Sequence, residues 1–178
     1  MPRIPVLPLD QMPEKTREMM TSGKSDLKGL NINKTMAHAE NSVRHFMRMG
    51  NSLLTQAKLD ARLRELAILR IATLCRSRYE WYQHEKLARK IGVPEEQIEA
   101  VKQGTDSPAF NGLEQAVLRY TDEVTLNVKS SDRAFEELAA ALSQRELVEL
   151  TLTIGFYNMV ARFLENTGVE IEGGGQAG

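Results

Sequence analysis

An all-α fold is predicted by three features of the 178-residue sequence. Apolar residues recur at helical spacing along most of its length, and helix-start and helix-stop signals punctuate those runs. No window shows an alternating strand pattern bounded by hairpin turns. The length suits one sizeable core with an arm or tail rather than two large domains.

The elements follow in order. Residues 1–10 carry Pro2, Pro5 and Pro8 and read as an extended arm, lying on a neighbouring subunit or over a pocket. Pro13 opens a short helix ending near Gly23, which makes residues 1–23 an arm with one short helix. A single helical domain then spans 24–172, followed by a flexible tail, "GGGQAG", at 173–178. From Lys34 to Leu54, the positions Met36, Val43, Phe46, Met47 and Leu53 predict one helix carrying His38 and His45. "LDARLRELAILRIATLCR" is apolar around most of its circumference and predicts a central buried helix, interrupted from inside by Glu65. The next helix runs from near Ser77 to Gly92, and Pro94 begins another. Beyond a loop from Gly104 to Gly112, helices are expected over Leu113–Leu126, Asp132–Leu142 and Gln144–Asn166. Two starts, "SRYE" at Ser77–Glu80 and "SQRE" at Ser143–Glu146, have the spacing of a capping box.

Composition narrows the function. With 23 Lys and Arg against 24 Asp and Glu, the chain has no global basic field, so nucleic acid is not an expected partner. No window approaches the roughly 20 apolar residues of a membrane span, and the proline-rich start is no signal peptide, so no membrane and a cytoplasmic location are expected. A lone cysteine forbids an internal disulfide and any Cys-x-x-Cys chemistry within one chain. Cys pairs and His-x-x-x-His are missing, and His38 and His45 are two helical turns apart, so no metal site is expected. No Gly-rich phosphate loop is present, and no cofactor is expected.

Candidate chemistry gathers between Glu65 and His84. His84 falls on the apolar face of its helix with Trp81, Leu87 and Ala88, and Glu80 is one turn before it. A carboxylate beside an imidazole can bind one ring nitrogen and leave the other free to move a proton. Glu65 lies in line with Ile68, Leu69 and Ala72, and an antiparallel return of the next helix would bring it alongside His84. Each residue also has a structural reading. Glu65 could pair with Arg64, Arg70 or another subunit, His84 could be a satisfied core histidine, Tyr79, Trp81 and Tyr82 could pack, and Cys75 could be a small buried hydrophobe.

The run from Ala61 to Val101, with Glu65, Ser77, Glu80 and His84 in register and "YEW" between, resembles the carboxymuconolactone decarboxylase family of the alkylhydroperoxidase D-like superfamily. "LTLTIGFYNMVARFLENTGV" is similar to that family's closing helix. The resemblance implies a multi-helix bundle assembled as a homo-oligomer, a trimer or a hexamer. In the peroxidase branch a Cys-x-x-Cys pair stands where this chain has Ser77 and Glu80, with an acid at Glu65 and a histidine at His84 completing a relay. Serine and glutamate cannot replace the nucleophilic and resolving thiols, which leaves Cys75 as the redox candidate.

The decarboxylase branch needs no thiol, metal or organic cofactor. It implies a lyase acting on a small carboxylated or lactone compound, with His84, Glu65 and Glu80 catalytic (His84 as the acid, Glu65 tuning it, Glu80 or Tyr79 orienting the substrate) and Ser77, Tyr79 and Trp81 against the substrate. Arg3, Arg76, Arg78 and Arg162 are candidate anchors for an acidic ligand. The alternatives are a peroxidase using Cys75, an enolate-type isomerase, and a helical oligomer that binds a small ligand without turnover.

Overall fold

The computed structural model describes residues 1–22 and 29–174. The boundary expected near residue 23 and the tail beyond Gly174 lie outside the described residues. Nine α-helices are described: α1 (Glu14–Thr21), α2 (Asn31–Met36), α3 (Glu40–Thr55), α4 (Ala61–Leu74), α5 (Arg78–Lys90), α6 (Glu95–Gln103), α7 (Gly112–Asn127), α8 (Asp132–Ala141) and α9 (Gln144–Thr167). No strand occurs among the described residues, so the fold is all-α as expected.

The hydrophobic run identified from the sequence is the axis of the molecule. α4 starts at Asp60, whose side chain accepts from the backbone N–H groups of Arg62 and Leu63, and it packs against α5, α6, α7 and α9. Its two sides feed two cores. Leu63, Ala67, Ile68 and Ile71 face α7, α8 and α9, while Leu66 and Leu69 face Ala88, Ile98, Val101 and Leu118. A third cluster joins Met12, Met20, Ala37 and Val43, seating α1 on α3. The arm lies along its own chain: the N–H groups of Arg3 and Ile4 donate to the Thr167 carbonyl at the end of α9, and Leu7 N–H donates to Lys34.

The single helix expected over Lys34–Leu54 is two. α2 ends at Met36, the chain turns through Ala37–Ala39, and α3 restarts at Glu40. His38 sits in that turn, with its Nε2 3.0 Å from the Pro5 carbonyl oxygen. The apolar spacing carries across the break because Met36, Ala37 and Val43 belong to one cluster, which hides the turn from periodicity. α9 also corrects a sequence expectation, since it is long and apolar enough to cross a membrane by length and composition. In the fold, 56% of that window is buried against α4, α7 and α8, as a core helix requires.

Candidate active site

The site is built on the tight reversal from α4 to α5. Arg76 adopts the left-handed region at φ 55°, a conformation that costs a non-glycine residue on the order of 1–2 kcal/mol. Arg76 N–H donates to Thr73 and Ser77 N–H to Ala72, so the end of α4 is closed by the paired bonds of a Schellman turn.

That closure overturns the capping box expected at "SRYE". The box needs the Ser77 N–H as donor to Glu80, and this N–H is already committed to Ala72. The Ser77 side chain caps nothing. Its Oγ and both carboxyl oxygens of Glu80 are buried with no hydrogen-bond partner. Both residues are 1% exposed.

An unpartnered buried carboxyl group should be neutral. Burial pushes Glu80 well above the usual carboxylate range, and the negative charge of Glu165 adds to the shift. One turn further along α5, His84 Nδ1 is 2.7 Å from Glu65 Oε2. Glu65 is fully buried, and its other oxygen accepts from Arg64 Nε at 3.2 Å. The structural and chemical readings of Glu65 thus coexist: it pairs with Arg64 and it orients the imidazole. With Nδ1–H donating to Glu65, Nε2 is the nitrogen left for chemistry. The Tyr157 ring meets the His84 ring edge-on, with centroids 4.7 Å apart and planes at 86°. Burial, and then the negative charge of Glu65, push the Tyr157 phenol well above its ordinary value.

Glu80, His84 and Tyr157 share a cavity of about 840 Å³ formed by α3, α5 and α9, with α1 and α2 at its edge. Much of the lining is apolar, including Ile32, Phe46, Leu54, Phe156, Val160 and Leu164. Gly50 lets α3 approach α9, because a Cβ there would lie 3.3 Å from the Phe156 ring. Tyr79 and Gln83 complete the wall and are both held by Glu172. Tyr79 OH donates to Glu172 Oε1 and Gln83 Nε2 to Oε2 at 2.6 Å, while Asn31 N–H donates to Oε1 at 2.7 Å. Burial and the Glu172 carboxylate push the Tyr79 phenol up.

The other residues singled out from the sequence stand apart from the cavity lining. Ser77 is buried at the helix junction. Trp81, three residues before His84 and so about 60° round the helix, packs towards α6, with the Lys102 ammonium 4.7 Å from its ring centroid. Cys75 ends α4 half-buried, its Sγ 3.9 Å from Asn158 Oδ1. Burial pushes its thiol up. Neither Arg3, Arg76, Arg78 nor Arg162 lines the cavity.

Four other cations do line it: Arg44 and Arg48 on α3, and Lys86 and Lys90 on α5. Sequence reasoning missed them, although a signal was available. Like charges spaced i, i+4 repel on a helix, so two such pairs require a reason. Gln83, Tyr157 and Glu172 were missed as well, because their roles depend on contacts between distant segments.

Residues 41–123 match the carboxymuconolactone decarboxylase family. The uncharacterised protein YnjA of Escherichia coli K12 is 31% identical over 110 residues, which are 61% of this chain and 60% of that protein. The matched segment thus spans less than two thirds of the curated relative. A protein of unknown function from Agrobacterium tumefaciens, described as a candidate antioxidant defence protein AhpD, is 25% identical and has a TM-score of 0.72, over 76% of this chain and 94% of its own. An uncharacterised peroxidase-related protein from Silicibacter sp. TM1040 shares the fold almost end to end, with a TM-score of 0.82, 19% identity, and coverage of 99% and 98% of the two chains.

Proposed function

We propose, from the match of residues 41–123 to the carboxymuconolactone decarboxylase family, a cofactor-independent lyase that decarboxylates an unsaturated or lactone-type acid by proton transfer. One observation carries this reading: Glu80 is a buried carboxyl group with no hydrogen-bond partner, on the wall of a largely apolar cavity and one turn from His84. Burial raises its pKa, which favours the protonated form that can donate to carbon.

In the reaction, the bond between the substrate and its carboxylate breaks and carbon dioxide leaves. The electron pair passes into the conjugated carbonyl as a dienolate. Tyr157 offers its phenolic O–H to the developing oxyanion, and Glu80 delivers its proton to carbon. The Glu80 carboxylate left behind is dry and faces the charge of Glu165, which drives it to recover a proton. His84, held by Glu65 one turn along α5, is the neighbouring proton carrier for that return.

Two features support this route over peroxide reduction. The paired thiols are replaced by Ser77 and Glu80, and Cys75 lies off the cavity with its thiol pushed up, away from the reactive thiolate. The same acid could instead complete an enolate isomerisation, and one experiment separates these outcomes. A panel of muconolactone-type and related unsaturated acids is turned over in deuterated buffer by wild type, Glu80→Gln and His84→Ala. Carbon dioxide release with deuterium incorporation, lost in both variants, supports the lyase. Incorporation without carbon dioxide identifies an isomerase. Peroxide consumption lost in Cys75→Ala would overturn both. Self-association into a trimer or hexamer belongs to the same proposal, and the exposed Val148, Leu152 and Met159 on α9 support it. Sedimentation of Leu152→Glu against wild type tests that point.

A further inference from the structure

The four cations and the depth of the cavity bear on the kind of molecule that enters. Arg44, Arg48 and Lys90 make no ion pair among the described residues, and Lys86 lies over the Tyr82 ring at 3.5 Å. All four are solvent-exposed at the cavity's edge. The one acidic residue in the lining is Glu80, which is buried at the inner wall, so no solvent-exposed carboxylate in the lining stands beside them. Two helices therefore hold positive charge at one opening without internal compensation. Such a focused field attracts an anion with more than one charge.

The spacing sets a length. Lys86 and Lys90 follow Glu80 by six and ten residues on α5, which is about 9 and 15 Å along the helix axis at about 1.5 Å per residue. A compact lactone acid against Glu80 is shorter than the axial span to the Lys90 position. The cavity, about 840 Å³, is also of the size that encloses a drug-sized molecule.

Building on the proton-transfer reading of Glu80 and His84, we infer that the substrate is an elongated amphiphilic anion. Its head group carries at least two negative charges and is held by Arg44, Arg48, Lys86 and Lys90. Its apolar body fills the cavity and brings the reacting carbon to Glu80.

Calorimetric titration with decyl phosphate, decylmalonate and decanol, all below micellar concentrations, tests the inference. The expected result is binding of one or both dianions, at least tenfold tighter than decanol, weakening with salt. Affinity should rise about fourfold per methylene from butyl to decyl phosphate. Preference for the phosphate or the malonate identifies the head group. Arg44→Gln/Arg48→Gln and Lys86→Gln/Lys90→Gln should each lose at least tenfold in dianion affinity, whereas Arg133→Gln, away from the cavity, should lose nothing. Equal binding of decanol, or dianion binding unchanged in both double variants, overturns the inference. Glu80→Gln separates it from the reaction proposed above: a variant that binds decyl phosphate normally but lacks turnover leaves both intact. Binding in a wild type that turns over no unsaturated acid of this class would count against the reaction alone.

Discussion

The sequence Ser-x-x-Glu occurs at the start of α5 and again at the start of α9, and the two copies behave in opposite ways. At Ser143 the box closes: Ser143 N–H donates to Glu146 Oε2 at 2.9 Å and Glu146 N–H donates to Ser143 Oγ at 3.3 Å. The Ser143 hydroxyl, donating to Glu146 Oε2 at 2.6 Å, and then the Ser143 N–H hold the Glu146 carboxyl below its ordinary range. At Ser77 no box forms, and burial drives Glu80 the other way. The difference lies in the residues just before each serine. Leu142 leads into Ser143 with extended backbone, whereas Ser77 follows a left-handed Arg76 and spends its N–H on closing α4. A helix-start rule therefore holds only where the preceding helix leaves the donor free, and where it does not, the glutamate becomes available for chemistry.

Exchanging or removing these groups should separate the two copies. The largest effect is expected from Glu80→Gln, which should lower kcat about 10²–10⁴-fold in the deuterated-buffer assay, as loss of a general acid does. Glu146→Gln should leave kcat unchanged. Next, Glu65→Ala strands Arg64 as a buried unpaired charge and should cost about 3–5 kcal/mol in urea denaturation. Glu65→Gln, which retains shape, should instead alter the pH profile of turnover more than the fold.

The two glutamates should also titrate stability in opposite directions. In the unfolded chain both ionise near the ordinary 4.5. The folded value of Glu80 is raised, so its contribution is complete below 4.5 and is lost as pH rises through the folded value. The folded value of Glu146 is lowered, so its contribution is present above 4.5 and is lost as pH falls through the folded value. Denaturation across a pH series should show Glu80→Gln flattening the alkaline limb and Glu146→Gln the acidic one. The smallest contrast is between the serines. Ser143→Ala should cost about 0.5–2 kcal/mol, and Ser77→Ala should be neutral or stabilising because it removes an unsatisfied buried hydroxyl.

Much of the architecture was legible because it rests on local signals. The buried α4 announces itself by apolar residues all round, and Gly92 with Pro94 marks the end of one helix and the start of the next through short-range geometry. The meeting of Glu65 with His84 was also accessible, since two adjacent antiparallel helices fix their relative register. The break at Ala37–Ala39 was not, because the His38 contact with Pro5 depends on where the arm lies. The state of Glu80 was hidden for a related reason: it depends on Ala72 taking a donor that the local motif had assigned elsewhere. The cationic edge combines residues of α3 and α5, which no single window of sequence places together.

Glu172 carries one more consequence, for the order in which the molecule is made. It fixes Tyr79 and Gln83, which precede it by 93 and 89 residues. During synthesis, therefore, both residues emerge well before the carboxylate that locks them in place. A nascent chain long enough to bury α4 against α7 still has an unfinished wall, and the site matures only when translation reaches that residue.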